Sequence, residues 1–225
     1  MRSAVLACCV SALVQAAPAH AQLENITSRE AASALKAALE KGSTAAVARL
    51  GRTDGFFGNP QVKIALPGHL EDAAKVLRFT GQQRRVDELV TAMNRAAEAA
   101  VPEAKPLLVA AVKSLTVSDA RAIVTGGDDS VTRFFADKTR APLAERFLPI
   151  VKRHTESVDL AGRYNAVAGQ AAQAGLLHGD AATVERYVTG KALDGLYFMI
   201  GEEEKKIRRD PIATGSAILS RAFAR

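Results

Sequence analysis

The sequence predicts an all-α protein: a single multi-helix domain of about nine to eleven helices, with at most one short extended segment near residues 61–66. Three observations point there. Apolar residues recur at steps of three and four along nearly the whole chain after residue 22. Runs with strand alternation are almost absent. The periodic stretches are separated by Gly, Pro and N-cap residues, which punctuate helices.

Thr27-Ser28-Arg29-Glu30 reads as a capping box opening a first helix, with Ala31, Leu35, Ala38 and Leu39 on one face, a break near Gly42 and a stop at Gly51. Residues 52–60 are loop by their Gly, Asp and Pro content, and Val62, Ile64 and Leu66 then alternate, as in a segment laid across helices. A helix over about 67–79 turns Leu70, Ala73, Ala74 and Leu77 inward. After Gly81, a longer one over 84–100 does the same with Val86, Leu89, Val90 and Met93.

Pro102 and Pro106 suit a first helical turn, where a missing N–H costs nothing, so 103–115 is helical. Thr116-Val117-Ser118-Asp119 caps a short helix ending at Gly126-Gly127, and Asp128 or Asp129 caps the next, through residue 139. A helix over 141–158 carries Pro149 inside and is expected to kink there. Further helices are expected over 160–177, rich in small residues, over about 180–188, over 191–209, the most amphipathic, and after Asp210-Pro211 up to Phe223.

Residues 1–21 read as a cleaved secretory signal peptide: Arg2, an apolar run over 4–17, and Ala19-His20-Ala21 as a small-residue cleavage site. The run is too short to span a bilayer. Residues 22–225 then form the domain, exported, periplasmic and soluble. Its 204 residues bury roughly 70% of the extended surface on folding, enough for a real core. Both cysteines, Cys8 and Cys9, fall inside the leader, which excludes disulfide and thiol chemistry in the mature chain. Leu6-Ala7-Cys8 is a poor lipoprotein anchor, because the apolar segment before Cys8 is short and Leu6 is bulky.

The leader holds one of the 30 basic residues and none of the 24 acidic ones, which leaves the mature chain at +5. Arg84-Arg85 and Lys205-Lys206-Ile207-Arg208-Arg209 are candidates for contact with anionic phospholipid or lipopolysaccharide headgroups, and the plainer reading is a solvated helix face. Export and aromatics that read as core residues argue against nucleic acid as a partner.

Catalytic signatures are missing: no His-Glu-x-x-His, no phosphate-binding Gly-Lys-Ser/Thr loop, no Gly-x-Gly-x-x-Gly and no Gly-x-Ser-x-Gly. Ser33-Ala34-Leu35-Lys36 matches a Ser-x-x-Lys nucleophile pattern without its partner motifs, and Glu156-Ser157 lacks the glycine-rich sequence that follows it in lytic transglycosylases. His69, His154 and His178 have no second histidine at helical ligand spacing, and Asp128-Asp129 reads as a helix cap before a calcium loop. No metal site or cofactor is indicated.

Polar residues on apolar faces are the most informative. In the 191–209 helix the stripe Leu193, Leu196, Ile200, Ile207 passes through Glu203 or Glu204, so one carboxylate points to the core edge. Burying it unpaired costs several kcal/mol, so it needs a partner among Arg95, Arg133, Arg208 and Asn94. The arrangement is either a structural ion pair or the mouth of a pocket walled by Phe134, Phe135, Tyr187 and Phe198.

A further set of stretches runs through the chain: Asp54-Gly55-Phe56 with Ile64-Ala65-Leu66-Pro67, Met93-Asn94-Arg95-Ala96-Ala97-Glu98, and Thr116-Val117-Ser118-Asp119-Ala120. It continues through Thr132-Arg133-Phe134-Phe135, Phe147-Leu148-Pro149-Ile150, Tyr187-Val188-Thr189, Ala192-Leu193-Asp194-Gly195-Leu196 and the stretch from Glu203 to Arg208. In this combination the chain resembles domain-of-unknown-function family 4197, and the resemblance implies a helical, exported bacterial protein with no established activity. With the polar residues above, these stretches supply the candidate binding residues: Asn94, Arg95, Glu98, Asp119, Asp128, Thr132, Arg133, Phe135, Tyr187, Asp194, Glu203, Glu204 and Arg208.

Three functions follow as expectations. The first is binding of an apolar or amphipathic small molecule, such as a lipid, between helices. The second is a protein–protein interaction module of the cell envelope that docks through a helix face on a partner the sequence does not name. The third is an acid/base enzyme pairing Glu203 or Glu204 with Asp119 or Asp128, which requires those carboxylates to converge. The sequence favours a non-enzyme.

Overall fold

A computed structural model describes residues 28–156 and 183–210, with residues 161, 162 and 165. Among the described residues the chain forms α1 (Ser28–Leu50), α2 (Gly68–Phe79), α3 (Gln83–Ala100), a 3₁₀ turn (Val101–Glu103), α4 (Ala104–Ser114), α5 (Val117–Thr125), α6 (Ser130–Thr155) and α7 (Val184–Arg209), and no strand. The all-α expectation holds over the described residues, with fewer and longer helices there than the nine to eleven expected for the whole chain would place in them. Thr27, the helix expected after Pro211 and, apart from residues 161, 162 and 165, the helix expected over 160–177 lie outside the described residues.

The shortfall has physical causes. Gly42 does not break α1, because the helix passes α7 there: a Cβ on Gly42 would sit 3.4 Å from Glu203 Cβ. Pro142 and Pro149 lie inside one continuous α6. The carbonyls that lose their donors belong to Lys138 and Glu145, both exposed residues that water can serve, while Leu143, Phe147 and Val151 on the opposite face are fully buried. Tertiary burial outweighs the two lost hydrogen bonds. Residues 189–191 likewise do not interrupt α7, whose first turn is capped by Thr183 Oγ1 accepting from the Arg186 N–H.

Helices α6 and α7 pack along each other, α3 lies against both, and α1 joins α7 to α4. The core runs through this stack, with Leu35, Leu50, Leu89, Met93, Leu108, Phe135, Phe147, Leu193 and Leu196 at 2% exposure or less. Helix α5 leans on α1 and α6, and α2 rests on α3. Of the four residues expected inward on α2, Ala74 is buried; the side chains of the other three lie outside the described set. No described helix is long and apolar enough to cross a membrane.

Candidate functional site

Residues 51–67 connect α1 to α2 without a regular element, and a 17-residue connection of this kind inside a folded domain is uncommon unless it has a function. It is fastened down from α3. Glu98, 4% exposed, accepts hydrogen bonds at one oxygen from the Phe56 and Phe57 N–H groups at 3.0 and 3.1 Å. Its other oxygen meets the Arg95 guanidinium at 2.7 Å, and Arg95 reaches back to Asp54 at 2.8 Å. The hydrogen bonds to Glu98 and Asp54 hold the Arg95 pKa above the ordinary arginine value. Asp54 itself has φ 63, a left-handed conformation that aspartate tolerates better than most residues.

One turn earlier on α3, the fully buried Asn94 imitates a neighbouring strand. Its Oδ1 accepts from the Ile64 N–H and its Nδ2 donates to the Ile64 carbonyl, both at 2.9 Å. The segment over 61–66 therefore keeps the alternation read from its sequence, with Val62, Ile64 and Leu66 buried, but pairs with an amide side chain and forms no β-ladder. Phe56 enters the core against α7, where a Cβ on Gly195 would stand 2.7 Å from its ring. The Tyr187 hydroxyl donates to the Ala65 carbonyl at 3.1 Å, and burial raises its pKa.

What this frame presents outward is mixed aromatic and cationic. Lys63 Nζ lies 4.2 Å and the Arg95 guanidinium 5.7 Å from the centre of the Phe57 ring, and Arg52 is exposed nearby in sequence. Lys191 lies 5.8 Å from the Tyr187 ring.

A second buried carboxylate sits elsewhere. Of the two glutamates that sequence periodicity placed at the core edge, Glu204 is the buried one, at 2%, and its partner is Arg208 at 2.8 Å. Glu204 also accepts from the N–H groups of Val131 and Thr132, at 3.2 and 3.4 Å, and so caps α6 from outside that helix. Asp129 occupies the N-cap position but turns its carboxylate to Arg133 at 3.2 Å, so neither it nor Asp128 supplies the expected cap. Arg208 completes the junction by donating to the Ile123 carbonyl and to Ser130 Oγ.

The remaining candidates do not join these two groups. Asp119 closes the capping box of α5 with Thr116, whose hydrogen bonds lower its pKa. Glu203 pairs with Lys206 at 2.6 Å, and Asp194 with Arg140 at 2.7 Å. Asp128 is exposed ahead of α6. Each carboxylate of the acid/base pairing considered above thus has its own surroundings. Of the four aromatic residues expected to wall a pocket, Phe135 is fully buried, Phe134 and Tyr187 are half-buried and Phe198 is 38% exposed. Lys36 of the Ser-x-x-Lys match donates to the Lys113 carbonyl at the end of α4.

A cleft of about 400 Å³ opens between α6 and the start of α7. Leu148 and Ala161 give it an apolar wall, Lys152 and Arg186 line it, and Glu185, 9% exposed, accepts there from Thr155 and Asn165. None of the candidate binding residues belongs to it, although Leu148 and Glu156 from motif stretches of the sequence do. No run of periodicity reveals it, because it depends on how α6 and α7 meet. Among the described residues no three His, Cys, Asp or Glu side chains are grouped to hold a metal ion.

The matching stretches Asp54-Gly55-Phe56, Ile64 to Pro67 and Met93 to Glu98 therefore meet in one place, with Tyr187 and Gly195 beside them. No curated protein and no solved structure matches the chain. The sequence profile of the family described as "Protein of unknown function (DUF4197)" matches residues 25–224, and the chain belongs to that family.

Proposed function

We propose that this protein is an exported, periplasmic interaction module that docks a protein partner on the fixed loop 51–67. The observation that carries the reading is that a long irregular connection is held in one conformation by a buried carboxylate and a buried amide. Binding loops on rigid scaffolds are a common way to present function, and a loop ordered before contact loses less entropy on docking. The outward features are the half-buried Phe57 between two cations, with the exposed Arg52 and Lys63 in excess over the paired Asp54. They suit a partner surface carrying carboxylates around an apolar side chain. Export is supported by the leader over 1–21 and by a family match that begins beyond it, at residue 25.

The test is photo-crosslinking in intact cells from position 63, with position 121 on exposed α5 as the control. The reading predicts one saturable adduct from position 63 that is lost in Phe57→Ala and in Glu98→Ala. The same adducts from both positions would refute it.

A second reading has the α6–α7 cleft in its favour. Its paired charges and apolar wall suit a small amphipathic molecule, and native mass spectrometry with organic extraction would then recover a ligand that Glu185→Gln loses.

A further inference from the structure

The turn between α2 and α3 carries the most exposed large apolar side chain among the described residues. Phe79 is 94% exposed, against 40% for Val117 and 38% for Phe198, whereas Phe56, Phe135 and Phe147 are fully buried. A single exposed apolar residue is ordinary on a protein surface. What sets Phe79 apart is its place and its neighbours. It ends α2, the chain reverses through Gly81 at φ 78, and α3 begins at Gln83, so the ring stands at a tip. Arg84 and Arg85 follow within the first turn of α3, and the Arg84 side chain is 91% exposed even while it meets Glu88 at 2.9 Å. Arg85 donates to the neutral amide of Gln82 and Arg78 pairs with Glu71, so the two arginines the sequence had marked stand at the tip with no carboxylate on Arg85 among these contacts.

We propose that this tip is a membrane-surface contact, with Phe79 entering the headgroup boundary of an anionic bilayer and Arg84 and Arg85 meeting lipid phosphates. An aromatic ring with an apolar body beside long cationic side chains is the combination that an anionic interface stabilises, because the ring leaves water while the guanidiniums stay at headgroup level. Asp87 and Glu88 lie further along α3 and limit the contact to the tip. The inference is independent of the loop 51–67 and of the cleft.

The protein contains no tryptophan, so Phe79→Trp places a single reporter at the tip. Added vesicles of phosphatidylglycerol and phosphatidylethanolamine are expected to shift its emission to the blue. Phosphatidylcholine vesicles are expected to leave it unchanged. Arg84→Gln with Arg85→Gln should weaken the anionic-vesicle response about ten-fold, whereas Lys205→Gln with Lys206→Gln should not alter it. Emission that stays at the water-exposed position with anionic vesicles would overturn the proposal, as would an equal shift with phosphatidylcholine. A shift produced by envelope protein and by neither vesicle would assign the tip to a protein partner and also overturn it.

Discussion

Glu98 and Glu204 are both buried carboxylates that accept two backbone N–H groups and pair with an arginine on their own helix, three and four residues away respectively. They differ in what they fasten. Glu204 ties α7 to the first turn of α6 and, through Arg208, to the last turn of α5, so three helices depend on one charge. Glu98 ties α3 to a loop, and its arginine is 36% exposed where Arg208 is 15%. A charge spent at a helix junction stabilises the fold. A charge spent on a loop fixes the shape of a surface, which is the stronger reason to look for function there.

Substitutions can break this contrast. The largest effect is expected for Glu204→Ala, which leaves Arg208 without its buried counter-charge and the α6 amides unsatisfied; chemical denaturation should show a loss of about 3 kcal/mol spread over the whole domain. Glu98→Ala should cost about 2 kcal/mol, chiefly from two stranded amides, and amide exchange should rise at Phe56 and Phe57 while α4 stays protected. A comparable global loss from both variants, with uniform exchange, would erase the distinction. Asn94→Ala sharpens it within the loop: about 1–2 kcal/mol, with faster exchange at Ile64 and little change at Phe56.

The smallest effect belongs to neither carboxylate and serves as a surface reference. Asp119 has its folded pKa lowered by the Thr116 hydrogen bonds, so its contribution is complete above the unfolded value near 3.8 and fades as pH falls through the lower folded value. Asp119→Asn should therefore flatten the acid limb of the stability profile slightly. A stability loss that persists undiminished at pH below the folded value would contradict the assignment.

Much of the fold was legible because local signals and burial agree. The Thr116 cap, the start of α4 near its prolines and the inward face of α3 all follow from spacing. What was not legible depends on partners distant in sequence. The helix end expected at residue 139 stands until the exposed carbonyl behind Pro142 and the buried side chains opposite are known. Asp129 reads as the α6 cap, but Glu204 comes from more than seventy residues away to take the amides. The same holds for the site. Asn94, Arg95 and Glu98 could be named from the sequence, yet only the packing of α3 shows that they hold 51–67, and the α6–α7 cleft leaves no mark on periodicity at all.

The central claim is that loop 51–67 is held rigid by α3, and amide hydrogen exchange at Phe56, Phe57 and Ile64 tests it most directly. The account predicts protection comparable to that in the middle of α3, lost at Phe56 and Phe57 in Glu98→Ala and at Ile64 in Asn94→Ala. Exchange in the wild-type chain at the rate of a free loop would contradict it.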